Sequence, residues 1–145
     1  MKSKLLVFAV AFAISLPAVA VTRSWTNTAG GNWFVSANWS PNGVPSIIDV
    51  ANITNNGTYT VTIATGTVAV ASYNIGGASG TQTLAIQTAN SVTAVGTVRA
   101  NGVLDMSSGA LLGTLTIQPG GQMQFNTTAN KFLDTLHLIN QGTVT

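Results

Sequence analysis

The stretch GVLDMSSGALLGTLTIQPGGQMQF, at residues 102–125, contains one full period of a repeat of about twenty residues. Gly102 recurs as Gly121, and Leu104, two positions further on, recurs as Met123. Short runs in which apolar and polar residues alternate predict strands. A fixed period of this length predicts a solenoid, in which each coil buries its apolar residues against the next coil.

Columns of apolar residues extend this period in both directions. The first column is Leu84, Leu104, Met123 and Val144; the second is Ile75, Val95, Leu115 and Leu136; a looser third is Val70, Val92, Leu112 and Leu133. Together they predict an all-β protein, a right-handed parallel β-helix with coils of about 20 residues. An antiparallel sandwich is the alternative, since short strands at regular spacing also build that fold.

The N-terminal segment 1–20 has the pattern of a cleaved secretory signal peptide. Lys2 and Lys4 precede an apolar run at 5–16, and Ala18 and Ala20 supply the small residues of a cleavage site after Ala20. A transmembrane anchor is the alternative, but the apolar run is short for a bilayer. We therefore expect an exported protein whose mature chain does not span a membrane.

The charge of the mature chain is close to zero, although the whole sequence has a formal charge of +2. The charged residues after position 20 are Arg23, Arg99, Lys131, Asp49, Asp105 and Asp134. No basic patch is available to neutralise a phosphate backbone, so we expect no nucleic-acid partner. The chain has no cysteine, and its stability has to come from stacking without disulfides.

The mature chain divides into two predicted regions. Residues 21–67 form a Trp-rich N-terminal cap and the first strands, and residues 68–145 form the solenoid repeats. The repeats stop part-way through a coil, which predicts either a longer protein or self-association through an open C-terminal coil.

Three tryptophans, Trp25, Trp33 and Trp39, lie close together ahead of the repeats. Large aromatic side chains at this position are suited to covering the open core of the first coil. The alternative is a glycan-binding platform, because exposed aromatic faces stack on sugar rings. Asp49 follows them at the entry to a strand, where we expect its carboxylate to bind local backbone N–H groups.

The stretch SWTNTAGGNWFVSANWSPNGVPSIIDVANIT, at 24–54, resembles the start of the passenger region in bacterial autotransporter-type β-solenoid surface proteins. The matching residues are Trp25, Gly31, Trp33, Asn38, Trp39, Gly43, Pro45, Asp49, Ala51 and Ile53. The resemblance implies a protein that is secreted or held at the bacterial cell surface. It further implies a structural or adhesive role toward host, matrix or cell-surface components, with glycans among the expected partners.

The sequence predicts no catalytic, cofactor-binding or metal site. Glycoside hydrolysis needs two facing carboxylates, and metal sites need clustered ligands, whereas the aspartates are far apart in the chain. His137 alternates with leucines and should face solvent, and Arg99 and Asp105 suggest a surface ion pair. We expect no enzyme. The alternatives are the N-terminal part of a carbohydrate-active β-helix lyase or hydrolase, and a carbohydrate-binding module that uses the tryptophans.

Overall fold

The structure is a computed structural model that describes residues 19–88, 91–133 and 135–145. The predicted signal peptide, apart from Val19 and Ala20, and Asp134 lie outside the described residues. The described chain is a parallel β-solenoid of about four turns, with coils of about 22 residues. The predicted all-β solenoid is therefore confirmed.

Fourteen short strands and one 3-10 turn (Ser36–Asn38) make up the described chain. The strands are β1 (Thr22–Trp25), β2 (Gly31–Asn32), β3 (Trp39–Ser40), β4 (Val50–Ile53), β5 (Tyr59–Ile63), β6 (Thr67–Ile75), β7 (Gln82–Ile86), β8 (Ser91–Val98), β9 (Gly102–Met106), β10 (Gly109–Ile117), β11 (Gln122–Gln124), β12 (Lys131–Phe132), β13 (Leu136–Asn140) and β14 (Thr143–Val144).

The strands form two sheets that the chain visits alternately. The first sheet has the order β12-β10-β8-β6-β4-β1-β3, and β13 also pairs with β10; the second has the order β14-β11-β9-β7-β5-β2. Neighbouring coils pair in parallel, which rules out the antiparallel sandwich. The antiparallel pair β1–β3 closes the N-terminal edge of the first sheet.

The first predicted column is confirmed in the second sheet. Leu84 lies opposite Leu104, Leu104 opposite Met123, and Met123 opposite Val144. Val61 extends the column by one more coil toward the N terminus. The first three members are fully buried, so this column forms one wall of the core.

The second predicted column is wrong in its register. The buried column of the first sheet is Ile53, Ile75, Val98 and Ile117, whose members are 22, 23 and 19 residues apart. Val95 faces outward and is 54% exposed, because alternation along β8 directs the even-numbered residues inward. A fixed period of twenty residues cannot follow coils whose lengths differ.

The third predicted column also has a different membership. Val68, Val92 and Leu111 lie opposite one another and are buried, in place of Val70 and Leu112. The register of β6 against β8 shifts between Ala69 and Ser72, at a β-bulge. The extra residue in β6 moves the side chains that precede it by one position relative to β8.

The parallel stack begins earlier than residue 68. Strands β4 and β5 pair with β6 and β7, and β1 and β2 pair with β4 and β5. Thus the range assigned to the cap and first strands already contributes coils to both sheets.

A complementary pair fills the core beside the bulge. Tyr73 is 1% exposed, and its ring lies against Gly96 in the next coil. A Cβ on Gly96 would stand 2.2 Å from Tyr73 Cζ, so a glycine is needed there. Burial raises the pKa of the Tyr73 hydroxyl above its ordinary value.

Candidate functional site

The three tryptophans form one buried cluster at the N-terminal end of the solenoid. The rings of Trp25 and Trp39 meet edge to face with centroids 5.1 Å apart, and those of Trp33 and Trp39 lie 4.8 Å apart at 69°. Trp25, Trp33 and Trp39 are 0%, 1% and 2% exposed. The cluster covers the core of the first coil, as expected for a cap.

Hydrogen bonds fix two of these rings. Trp25 Nε1 donates to the carbonyl of Asn27 at 2.6 Å, and Trp39 Nε1 donates to the carbonyl of Trp33 at 2.8 Å. A sugar ring stacks on an exposed aromatic face, and none of the three indoles presents one. The arrangement fits the cap and leaves no platform for glycan stacking on these side chains.

Asp49 joins the entry of β4 to the backbone just before β1. Its carboxylate accepts hydrogen bonds from the N–H groups of Val21 and Ser46, each at 2.8 Å, and from the Ser46 hydroxyl at 2.8 Å. Arg23 Nε completes the set at 3.3 Å. The predicted binding of backbone N–H groups is confirmed, with an ion pair in addition.

These contacts decide the ionisation of Asp49, which is 3% exposed. Burial alone would raise its pKa, but the hydrogen bonds from Ser46 and Val21 and the Arg23 guanidinium outweigh burial and lower the pKa to about 2. All four contacts stabilise the charged form, so this carboxylate is a structural anchor rather than a free acid or base.

Gln82 is a buried polar residue that the sequence reasoning missed. It is 0% exposed, and its Nε2 donates to the carbonyls of Gly57 and Ser79 while its Oε1 accepts from the N–H of Gly77 at 2.6 Å. It ties together two neighbouring corners. The nearby Asn56-Gly57 and Gly76-Gly77 turns were the available signal, since turn carbonyls and N–H groups need partners.

The outward face of the second sheet carries a row of mostly uncharged polar residues. Thr60 lies opposite Thr83, Thr83 opposite Val103, Val103 opposite Gln122, and Gln122 opposite Thr143. On the first sheet, Asn52, Asn74, Thr97 and Thr116 form a comparable row, in which Asn74 Nδ2 donates to Asn52 Oδ1 at 2.8 Å.

The remaining charged groups are dispersed. Arg99 is exposed, and its Nη2 donates to Asn74 Oδ1 at 3.1 Å. The predicted ion pair with Asp105 is wrong: Arg99 follows the end of β8 in one sheet, whereas Asp105 lies within β9 of the other. Asp105 Oδ1 is buried without a hydrogen-bond partner among the described residues. His137 is exposed, as predicted.

A groove runs along the edge where the strands of the first sheet end. The residue after the end of each strand lies directly above its counterpart in the previous coil; these residues are Thr54, Gly76, Arg99, Gln118 and Gln141, which we call the corner column. The groove has a volume of about 570 Å³. Among its described lining residues, Arg99 is the single charged one.

The last coil leaves inward-facing positions partly uncovered. Leu138 lies opposite the buried Leu115, and Val144 lies opposite the buried Met123. Nevertheless, Leu138 is 39% and Val144 36% exposed. In the described ranges, no strand pairs with the far edge of β13 or β14.

Within the described parts of the chain, His, Cys, Asp and Glu side chains do not gather in threes that could hold a metal ion. Those same parts contain no helix with the length and apolar character to cross a membrane. Comparisons with protein-family models, with curated proteins and with solved structures give no match.

Proposed function

We propose that this protein is an exported scaffold of the autotransporter-passenger kind, secreted or held at a bacterial cell surface, where it has a structural or adhesive role. The observation that carries the proposal is the continuous parallel stack, closed at its N-terminal end by the tryptophan cap. A stack of this kind presents the same outward positions in every coil.

The chemistry of the outward rows supports an adhesive role. Thr60, Thr83, Gln122 and Thr143 lie on one face, with the apolar Val103 between Thr83 and Gln122. The hydroxyl and amide groups of the four polar residues both donate and accept hydrogen bonds. Successive members of the row lie about 4.8 Å apart, the spacing of neighbouring strands. Repeated weak contacts on a rigid surface add up through multivalency, which suits host, matrix or cell-surface polymers as partners.

The residues of the cap support the same class of protein. The matching positions in 24–54 include Trp25, Trp33, Trp39 and Asp49, and all four have structural roles at the start of the stack. In this proposal, what residues 24–54 share with autotransporter-type passenger regions is the structure that begins the solenoid. Asp49 is committed to hydrogen bonds, and the proposal includes no enzymatic activity.

The export half of the proposal is tested by producing the full chain in a Gram-negative host. We expect a mature protein that starts at Val21, identified by mass spectrometry of the protein recovered outside the cytoplasm. Ala20→Tyr should block cleavage, whereas Val19→Thr, between the two small residues, should not. Retention of the uncleaved chain in the cytoplasm would contradict export.

The adhesive half is tested with the recovered protein on surfaces coated with matrix proteins or with polysaccharides. We expect retention on at least one coating above that on a blank surface. The matched control is the same protein unfolded by heat, which has the same amino-acid composition but no ordered rows. Equal retention of folded and unfolded protein on every coating would overturn the adhesive role.

A further inference from the structure

The corner column is held in exact register by the backbone. The N–H of Gly76 donates to the carbonyl of Ile53 at 3.1 Å, and those of Arg99, Gln118 and Gln141 donate to the carbonyls of Ile75, Val98 and Ile117, each at 2.8 Å. The column therefore continues the first sheet by one residue in every coil. Five members at the spacing of neighbouring strands extend over about 19 Å along the solenoid axis.

The column has no side chain at Gly76. A Cβ at this position would lie 2.5 Å from the carbonyl oxygen of Ala100, and φ is +108°, so a side chain does not fit. Backbone atoms of residues 99–102 fill the direction in which a side chain would extend, so the groove floor between Thr54 and Arg99 is backbone.

Arg99 gives the groove its charge. Its guanidinium donates one hydrogen bond, to the neutral amide of Asn74, and no carboxylate of the described residues forms an ion pair with it. A guanidinium has five N–H donors in a planar fork that matches a carboxylate. The single ion pair in the described chain belongs to Arg23 and Asp49, at another corner.

The neighbours of Arg99 are uncharged and available. Gln118 and Gln141 are exposed, and their side-chain amides make no hydrogen bond to another described residue. They offer donors and acceptors in the two coils after Arg99, and the hydroxyl of Thr54 lies two coils before it. This is the chemistry that binds the hydroxyl groups of a sugar chain, whereas one cation is too few for a nucleic-acid backbone.

We infer that the corner groove binds an acidic oligosaccharide along the solenoid axis, with a sugar carboxylate on Arg99 and neighbouring hydroxyls on Gln118, Gln141 and Thr54. The inference rests on the proposed function, because it names a ligand class for the adhesive scaffold and a second contact surface on it. It places the specific contact at an edge of the solenoid, away from the tryptophans.

The test is calorimetric titration of the purified protein with tetragalacturonate and with its full methyl ester, which keeps the shape and removes the charge. We expect the ester to bind at least about tenfold more weakly, since charge-assisted hydrogen bonds are the strong ones. Arg99→Gln should weaken tetragalacturonate binding by a similar factor. Lys131→Gln, which removes a cation elsewhere, should change it by less than about twofold.

The site is located by backbone NMR shifts during the same titration. Shifts centred on Thr54, Arg99, Gln118 and Gln141 are expected, and the galacturonate monomer should bind more weakly than the tetramer because it contacts one or two coils. Unfolding temperatures of the variants establish that each one is folded.

The inference would be overturned if tetragalacturonate did not bind at about millimolar concentration, or if Arg99→Gln bound it as tightly as the wild type. NMR shifts confined to the outward face of the second sheet would also overturn it. Equally tight binding of tetraglutamate would indicate a peptide ligand instead. Failure of the proposed function is a separate result. If the Arg99→Gln protein still adheres to coated surfaces, the groove is not the adhesive contact, but the adhesive scaffold is retained. If the protein binds tetragalacturonate but is not exported, the groove is retained and the proposed export is rejected.

Discussion

The indole of Trp39 lies between those of Trp25 and Trp33 and contacts both rings edge to face, at centroid distances of 5.1 Å and 4.8 Å. It is 2% exposed, and its N–H is bonded to the carbonyl of Trp33. The Trp39 side chain therefore links the other two indoles of the cap and helps to cover the core of the first coil.

Trp39→Ala should destabilise the protein by about 3–5 kcal/mol, the range for removing a large buried aromatic side chain. The measurement is equilibrium unfolding in urea. Phe34→Ala is the matched control in the same segment, because Phe34 is 37% exposed, and it should cost about 1 kcal/mol or less. Similar losses for both variants would mean that Trp39 does not close the core.

The Asp49 anchor predicts a loss of stability in acid. Its pKa is about 2 in the folded chain and near 3.8 when unperturbed, so the unfolded state binds more protons as the pH falls. The ionised Asp49 carboxylate contributes about 2 kcal/mol to the free energy of unfolding; this contribution is complete above about pH 5 and is lost progressively as the pH falls to about 2.

Asp49→Asn should remove that acid dependence and lower the stability at pH 7, since Val21, Ser46 and Arg23 lose a charged acceptor. Unfolding free energies measured from pH 7 to pH 2 check both effects. Asp105→Asn serves as the control, because Asp105 lies outside this network. An Asp49→Asn curve that falls as steeply as the wild type would refute the assignment.

The buried hydrogen bonds of Gln82 predict a large loss of stability when its side chain is shortened. Gln82→Ala would leave the carbonyls of Gly57 and Ser79 and the N–H of Gly77 without their partner in a buried corner. Each unsatisfied group costs about 1–3 kcal/mol, and we expect a total loss of at least 3 kcal/mol. Gln122→Ala, at an exposed position, should change the unfolding free energy by about 0.5 kcal/mol or less. Equal effects of the two changes would show that the corner is held by other contacts.

The pairing of Tyr73 with Gly96 is tested by a double-mutant cycle. Gly96→Ala places a Cβ 2.2 Å from the Tyr73 ring and should cost about 1–3 kcal/mol as an overpacked core. Tyr73→Leu alone leaves a cavity, and the double variant should be more stable than the sum of the two single losses allows. Additive losses in thermal unfolding would mean that the two residues do not share this space.

Sequence reasoning found the solenoid because alternation and the Leu84, Leu104, Met123 column are local, repeated signals. It misplaced the Ile75 column because coil length is not constant. Ile75 and Val98 are 23 residues apart, whereas Val98 and Ile117 are 19 apart. Insertions at corners and the bulge in β6 change the spacing without changing which residues stack.

The candidate site was harder to predict, for a physical reason. Arg99 was noticed because Asp105 is close in the chain, yet a corner separates the two and sends them to different sheets. The column of Thr54, Arg99 and Gln118 is visible only when the true register aligns the strand ends. Proximity in the sequence therefore indicated Asp105 as the partner of Arg99, whereas stacking along the solenoid axis places Arg99 beside Gln118.

The last coil carries a prediction about association. The buried columns that contain Leu115 and Met123 end in Leu138 and Val144, which are 39% and 36% exposed beside a strand edge that has no partner among the described residues. A second copy offers the same edge and the same apolar residues, and a two-fold axis can pair β13 with its counterpart while covering both sets. We therefore expect residues 21–145, produced on their own, to form a concentration-dependent dimer in sedimentation velocity.

Leu138→Lys should abolish that dimer, because a charge at an inward position of the last coil would be buried in the interface without a partner. Val95→Lys is the matched control: Val95 is 54% exposed on the outward face of β8, in the middle of the stack, and its substitution should leave the dimer intact. Dimerisation that persists in Leu138→Lys and disappears in Val95→Lys would place the contact on the outward face of the first sheet and not at the open edge. A monomer at every concentration would show that exposure of these two apolar side chains is too small to offset the entropy of association.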